Sequence, residues 1–253
     1  NRNNYFRPSI YYYGLHNFSN TKSFGYFIDS YYSRNDHNRL YNEDDASFQS
    51  KVKENYYYTQ ANANYSISFK NKSRLSFNLF EFLRVSASKY AGTSAFHQNL
   101  HSSETILFTD YSLHSGRFFF GICPGLSFLT YRLIGMKAIN HLTPRFQSRI
   151  SFMIDKAQQL QITFALGNTF PKINTINNVE QQIDPVIVLK GNPKMDNSIL
   201  LNPRLNYTLH LYKLALQIGT SYFYQNHSIV SDYYIRDKHL INAFRDDCIY
   251  HCP

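Results

Sequence analysis

The sequence predicts an all-β chain, a partial antiparallel up-and-down transmembrane β-barrel of about ten strands with short periplasmic turns and long outer loops. Three observations predict it. Runs of alternating apolar and polar residues recur along the chain. Each run is about ten residues or longer, the length a tilted strand needs to cross a bilayer. The connections fall into two classes, a few residues or many, and the two classes alternate.

The strands are expected near residues 8–18, 23–34, 54–69, 74–88, 104–114, 118–131, 144–154, 158–169, 198–209 and 214–226. The first two flank the turn Ser19-Asn20-Thr21-Lys22. In the third, Ala61, Ala63, Tyr65, Ile67 and Phe69 interleave with Gln60, Asn62, Asn64, Ser66 and Ser68. After the turn Lys70 to Ser73 the chain returns with Leu75, Phe77 and Leu79 on one parity and Arg74, Ser76 and Asn78 on the other. Successive strand side chains point to opposite faces, so this hairpin has one greasy and one hydrated surface. The fifth and sixth strands turn at Ser115-Gly116-Arg117. The next pair sets Phe146, Ile150, Phe152 and Ile154 against Arg145, Gln147, Arg149 and Ser151, turns at Asp155 to Ala157, and returns through Leu160, Ile162, Phe164 and Leu166. The last pair sets Leu201, Leu205, Tyr207 and Leu209 against Asn202, Arg204, Asn206 and Thr208, then turns between His210 and Lys213 towards Leu214, Leu216 and Ile218. Long loops are expected over 35–53, 89–103, 132–143, 170–197 and from 227 onward.

Composition agrees. Tyr (22) and Phe (21) make up 17% of 253 residues, and aromatics favour both strands and membrane interfaces. A soluble two-sheet sandwich also alternates, but its strands usually run only about five or six residues. No stretch has the roughly 20 apolar residues of a membrane-spanning helix. The net charge of +9 raises nucleic acid as a partner, yet the basic residues form no stripe along the sequence, so none is expected. Arg74, Arg145, Arg149 and Arg204 fall on polar strand parities, which a barrel points into its lumen, while Lys22, Lys70, Lys72 and Lys156 sit at turns. With Tyr41 in an expected outer loop, these arginines are the candidate ligand contacts.

Local exceptions stand out. Glu81 lies on the apolar parity of its strand, which calls for a bulge near Phe80 or a position close to the headgroups. Pro124 inside a strand calls for a bulge or break in the ladder. Cys248 and Cys252, with His251 between them, are too few for a zinc site; a disulfide and two incidental thiols both remain open. Glu43, Asp44 and Asp45 read as a hydrated loop, and no hydrolase, zinc-protease or phosphate-loop pattern occurs in context, so neither catalysis nor a cofactor is expected. The chain shows no leader, and its last expected strand lacks a partner. The expectation is one segment, 1–253, of a single barrel domain whose export signal and closing strands lie elsewhere.

The segment Ile183-Asp184-Pro185, followed by Lys190-Gly191-Asn192-Pro193-Lys194-Met195, resembles the "DP…GNP-x-L" loop of TonB-dependent receptors of Bacteroidetes, in particular their outer-membrane β-barrel family. Gly125-Leu126-Ser127-Phe128 resembles that family's "GLRYE" strand, Thr143-Pro144-Arg145-Phe146 its "FPSL" strand start, and Leu160 to Pro171 its "LRLSYSR…RP" strand and exit. Ser127 and Thr130 stand where the family usually has Arg and Glu, and Met195-Asp196 replaces the usual Leu-Lys. The resemblance implies an outer-membrane importer of a scarce solute, with Asp184, Pro185, Gly191, Asn192 and Pro193 as the family-like loop motif. It further implies outer-membrane lipid around the wall, and a plug domain and TonB coupling complex acting through parts outside this chain. A surface lipoprotein is a further candidate partner. The competing readings are a plug-free pore or adhesin and a soluble β-rich binding module.

Overall fold

A computed structural model describes residues 2–43, 46–91, 95–169, 172–176, 179–182 and 186–252, with the side chains of 2–3, 39–43, 46–49, 173–174 and 246–252 left aside. The strands are β1 (Arg2–Phe6), β2 (Ser9–Ser19), β3 (Lys22–Glu43), β4 (Ala46–Ser68), β5 (Ser73–Ala91), β6 (Phe96–Ser115), β7 (Phe118–Leu133), β8 (Ile139–Met153) and β9 (Gln158–Thr169). After the one-turn helix α1 (Ile173–Ile176) come β10 (Glu180–Gln182), β11 (Ile187–Lys190), β12 (Ser198–Leu211), β13 (Leu214–Ser221), β14 (Phe223–Arg236) and β15 (His239–Cys252). All fifteen belong to one sheet, and from β3 to β9 each strand pairs antiparallel with the next in sequence. Among the described residues no ladder joins the β1/β2 edge to the β10 edge. The sheet is a partial barrel.

The count of about ten becomes fifteen because β10, β11 and β15 form where loops were expected, and because prolines cut two continuous strands. β1 and β2 both pair with β3 in one register and part only at Arg7-Pro8. β13 and β14 continue one another along β12, interrupted where Tyr222 faces Pro203, which has no N–H to give. The expected strand 214–226 therefore runs on to Arg236, and β15 pairs along it, so that strand does have a partner.

The five short turns fall where the sequence places them, and Gly116 takes the left-handed φ of +55° at its turn. The opposite ends differ from expectation. Residues 35–43 and 46–53 are paired strand, an extension of the β3/β4 hairpin, and β5 reaches Ala91 while β6 starts at Phe96. Beyond a membrane both faces of a hairpin are wetted, so the alternation that marks a strand disappears while the ladder continues.

The two faces have opposite polarity. One carries Phe77 (47% exposed), Ile162 (46%) and Leu205 (41%), with Ile67 half-buried in the same row as Leu75. The other carries buried Ser66, Ser76, Glu104, Ser127, Thr143 and Ser151. The described residues between 172 and 198 fold against this second, polar face, which is the inner one. There Leu100, Leu129, Tyr131 and Leu133 of the wall close over Ile176 and Met195, flanked by Ile229 and Phe244 from β14 and β15. β10 and β11 complete this inward fold, β11 pairing parallel to β15, the one parallel ladder among the described residues.

Glu81 stays on the outer face. The β4/β5 ladder runs unbroken from Ser68 opposite Arg74 to Lys51 opposite Ala91, so no bulge swaps the faces. Its carboxylate instead accepts hydroxyls from Ser103 (2.9 Å) and Thr105 (2.5 Å), which offset its desolvation. At Pro124 the β6/β7 ladder lapses between Phe108/Gly125 and Tyr111/Ile122 and resumes in the same register, a break without a bulge. Cys248 and Cys252 both lie in β15, four residues apart, with their side chains outside the described ones.

Candidate functional site

The inner face of the wall is where chemistry converges, and its rows can be followed across the sheet by cross-strand partners. Ser68 pairs with Arg74, Arg74 with Ser112, Ser112 with Gly121, Gly121 with Arg149, Arg149 with Thr163, Thr163 with Arg204, and Arg204 with Ser221. Three arginines scattered over 130 residues thus share one row near the short-turn end, so the fold builds the basic stripe that the linear sequence lacks. All three are exposed. Arg74 donates to Ser66 (3.1 Å), Arg149 to Gln161 (3.1 Å) and Arg204 to Asn202, bonds that orient each guanidinium without neutralising it.

Arg145 does something different. Four residues from Arg149 on the same face of β8, its Nη2 reaches Glu104 Oε1 at 2.6 Å, the same oxygen that accepts the Ser127 hydroxyl at 2.7 Å. Arg84 approaches the other oxygen at 3.7 Å. Glu104 is 5% exposed, so a buried carboxylate is compensated by two cations and a hydroxyl from β5, β7 and β8. Above this cluster the inner wall turns aromatic: Tyr31 lies 5.8 Å from Tyr56 and 5.0 Å from Tyr58, and Arg84 stands over Phe82 at 5.1 Å. Sequence reasoning passed over Arg84, although it shares a strand and parity with Arg74, and over Glu104, whose role depends on strands that only register brings together.

The segment against this wall is fixed at several points. Tyr131 donates to the Met195 carbonyl (3.1 Å), His141 lies 3.3 Å from Asp196, and Asn197 donates to Thr143 (3.0 Å). In the Gly191-Asn192-Pro193 motif, the Asn192 N–H donates to the Thr175 carbonyl (2.7 Å) and its side chain accepts the Lys194 N–H (3.0 Å), a turn that delivers Met195 into the apolar cluster. Asp184 and Pro185 lie outside the described residues, and Tyr41 lies in β3 with its side chain undescribed. Among the described residues no group of three or more His, Cys, Asp or Glu is placed to hold a metal ion.

No protein-family model matches the chain, and no curated protein matches its sequence. Solved structures do resemble it. The copper transporter OprC superimposes with a TM-score of 0.71 at 9% identity, over 95% of this chain and 41% of that one. FpvA of P. aeruginosa, solved bound to heterologous pyoverdines, gives 0.70 at 6% identity over 94% and 36%. BauA, the ferric preacinetobactin receptor of Acinetobacter baumannii, gives 0.67 at 9% over 97% and 41%. At such identities the likeness is one of fold: this chain has the architecture of a stretch of the β-barrel wall of those proteins, and spans about two fifths of their length.

Proposed function

We propose that the chain is the barrel-wall segment of a TonB-dependent outer-membrane receptor, of the Bacteroidetes type its loop motif resembles, that captures and imports a scarce solute. The reversed polarity of the wall carries this reading. Large apolar side chains face outward and half-exposed while carboxylate, guanidinium and hydroxyl groups are enclosed within, an arrangement that is stable only with hydrocarbon outside and water or protein inside. The wall segment binds and breaks no bond. Arg74, Arg149 and Arg204 form the basic row offered to solute or to a plug domain, Arg145 positions Glu104, and the described residues between 172 and 198 narrow the lumen at the far end. Tyr41, Asp184 and Pro185 are proposed as further solute contacts on the strength of the loop motif and the expected outer loops alone.

The test uses the full-length protein. It is expected to need detergent, to migrate faster on gels unheated than boiled, and to gain thermal stability with one member of a panel of ferric siderophores, copper, cobalamin, glycans and peptides. Spontaneous solubility without detergent, with no heat-dependent migration, would contradict the reading.

A further inference from the structure

The five short turns carry one sign of charge. Lys22, Lys70, Lys72, Arg117, Lys156 and Lys213 stand at them, all exposed, and none forms an ion pair among the described residues. Backbone bonds tie the turns into a rim: the Ser68 N–H donates to the Thr21 carbonyl (2.7 Å), the Met153 N–H to Arg117 (2.8 Å) and the His210 N–H to Ala157 (2.7 Å). Arg117 donates to the Ile154 carbonyl (2.9 Å) and Lys213 lies 5.7 Å from the Tyr212 ring, contacts that leave both charges in place. The carboxylates nearest these turns are Asp155, which accepts the Ala157 N–H (2.7 Å) and the Gln158 amide (2.8 Å), and Asp110, on the inner face opposite Ser76. Just inside the rim runs the row of Arg74, Arg149 and Arg204. At the opposite end the charges are mixed and paired, Arg34 with Asp36, His141 with Asp196, and Lys190 and Arg236 with Glu180.

We propose that the short-turn mouth is a docking collar for an acidic, extended polypeptide segment that enters the lumen from that side. The proposal rests on the reading of the chain as barrel wall around an aqueous interior. Uncompensated charge selects an anion, and the place of the charges selects its kind. A lipid headgroup reaches the turn tips but not the inner face, and a cross-linked glycan cannot thread the mouth, whereas a polypeptide meets both sets of cations. Five ladders separate Arg74 from Arg204, about 24 Å at the usual strand spacing, which about seven extended residues span. Exposed ion pairs are individually weak, so the collar acts by number, and salt screens it.

The experiment uses full-length protein in detergent and reads the fluorescence anisotropy of a labelled peptide of about eight residues, alternating Glu and Ser, against the same peptide with Gln for Glu. The wild type is expected to bind the Glu peptide at least about tenfold more tightly, and to lose about tenfold or more between roughly 50 and 500 mM salt. Two variants, Lys70→Gln with Lys72→Gln and Arg74→Gln with Arg149→Gln and Arg204→Gln, should each weaken binding about threefold or more while keeping heat-modifiable migration, and Lys70→Arg with Lys72→Arg should bind like the wild type. Lys51→Gln with Lys53→Gln and Lys89→Gln, at the opposite end, should leave binding unchanged, and neither phosphatidylglycerol in mixed micelles nor soluble peptidoglycan fragments should displace the peptide. Equal binding of the two peptides, an unaffected short-turn variant, equal weakening by the opposite-end variant, or displacement by either competitor overturns the proposal alone. Absence of heat-modifiable migration in the wild type overturns the barrel reading and the proposal with it.

Discussion

Arg145 and Glu104 meet at 2.6 Å across the intervening strand β7, the tightest ion pair described on the inner wall. Breaking a buried pair by removing one partner leaves an uncompensated charge, at a cost of about 3–5 kcal/mol. Glu104→Ala leaves Arg145 and Arg84 as unbalanced neighbours, so refolded protein should lose stability of that order in a denaturant titration. The double change Glu104→Leu with Arg145→Leu should cost less than Glu104→Ala.

On the outer face the same logic runs in reverse. Phe77 is nearly half exposed, so in a water-soluble protein Phe77→Arg would be nearly neutral. Facing hydrocarbon it should cost about 2–4 kcal/mol, measured by folding into lipid vesicles.

Gly125 admits no side chain. A Cβ there would stand 2.5 Å from the Leu107 carbonyl and collide with the Phe108 ring that covers it, so Gly125→Ala should destabilise the β6/β7 pair by about 1–3 kcal/mol. At Gly116 nothing lies within 4 Å, and only the left-handed φ opposes Ala, at about 1 kcal/mol. Thermal unfolding of the two variants should rank them in that order.

The inward fold of β10 and β11 carries a pH dependence. Arg236, and after it Lys190 at 3.4 Å, holds the Glu180 carboxyl below the usual carboxylate range. A lowered carboxyl pKa stabilises above the unfolded value and is lost as pH falls through the folded one. The partners are about two fifths exposed, so the effect is roughly 0–1 kcal/mol. Limited proteolysis within residues 172–197 should quicken as pH drops below about 4, and Glu180→Gln should remove most of that change.

What the sequence could show was set by water. Where one face meets hydrocarbon and the other an aqueous interior, as from Ala61 to Phe69 and Leu75 to Leu79, alternation is enforced and readable. The β3/β4 extension, with Asp36 opposite Lys53, is wet on both sides and carries no such mark, so it read as loop. β15 escaped for a related reason, since Phe244 packs against the inner cluster while Ile241, on the opposite parity, is also buried, so its parities are mixed. The arginine row was invisible because it depends on register. Arg74, Arg149 and Arg204 align only once the registers of the five ladders from β5 to β12 are set. Glu81 misled through its own chemistry, since hydroxyl partners from the next strand satisfied it without any change of backbone.

Site-directed spin labelling along β5 puts the reversed wall to its most direct trial. In a cysteine-free background reconstituted into bilayers, labels at 75, 77 and 79 should collide with oxygen, and labels at 74, 76 and 78 with an aqueous nickel chelate, giving a period of two. Nickel access at both parities, or no alternation at all, would contradict the account.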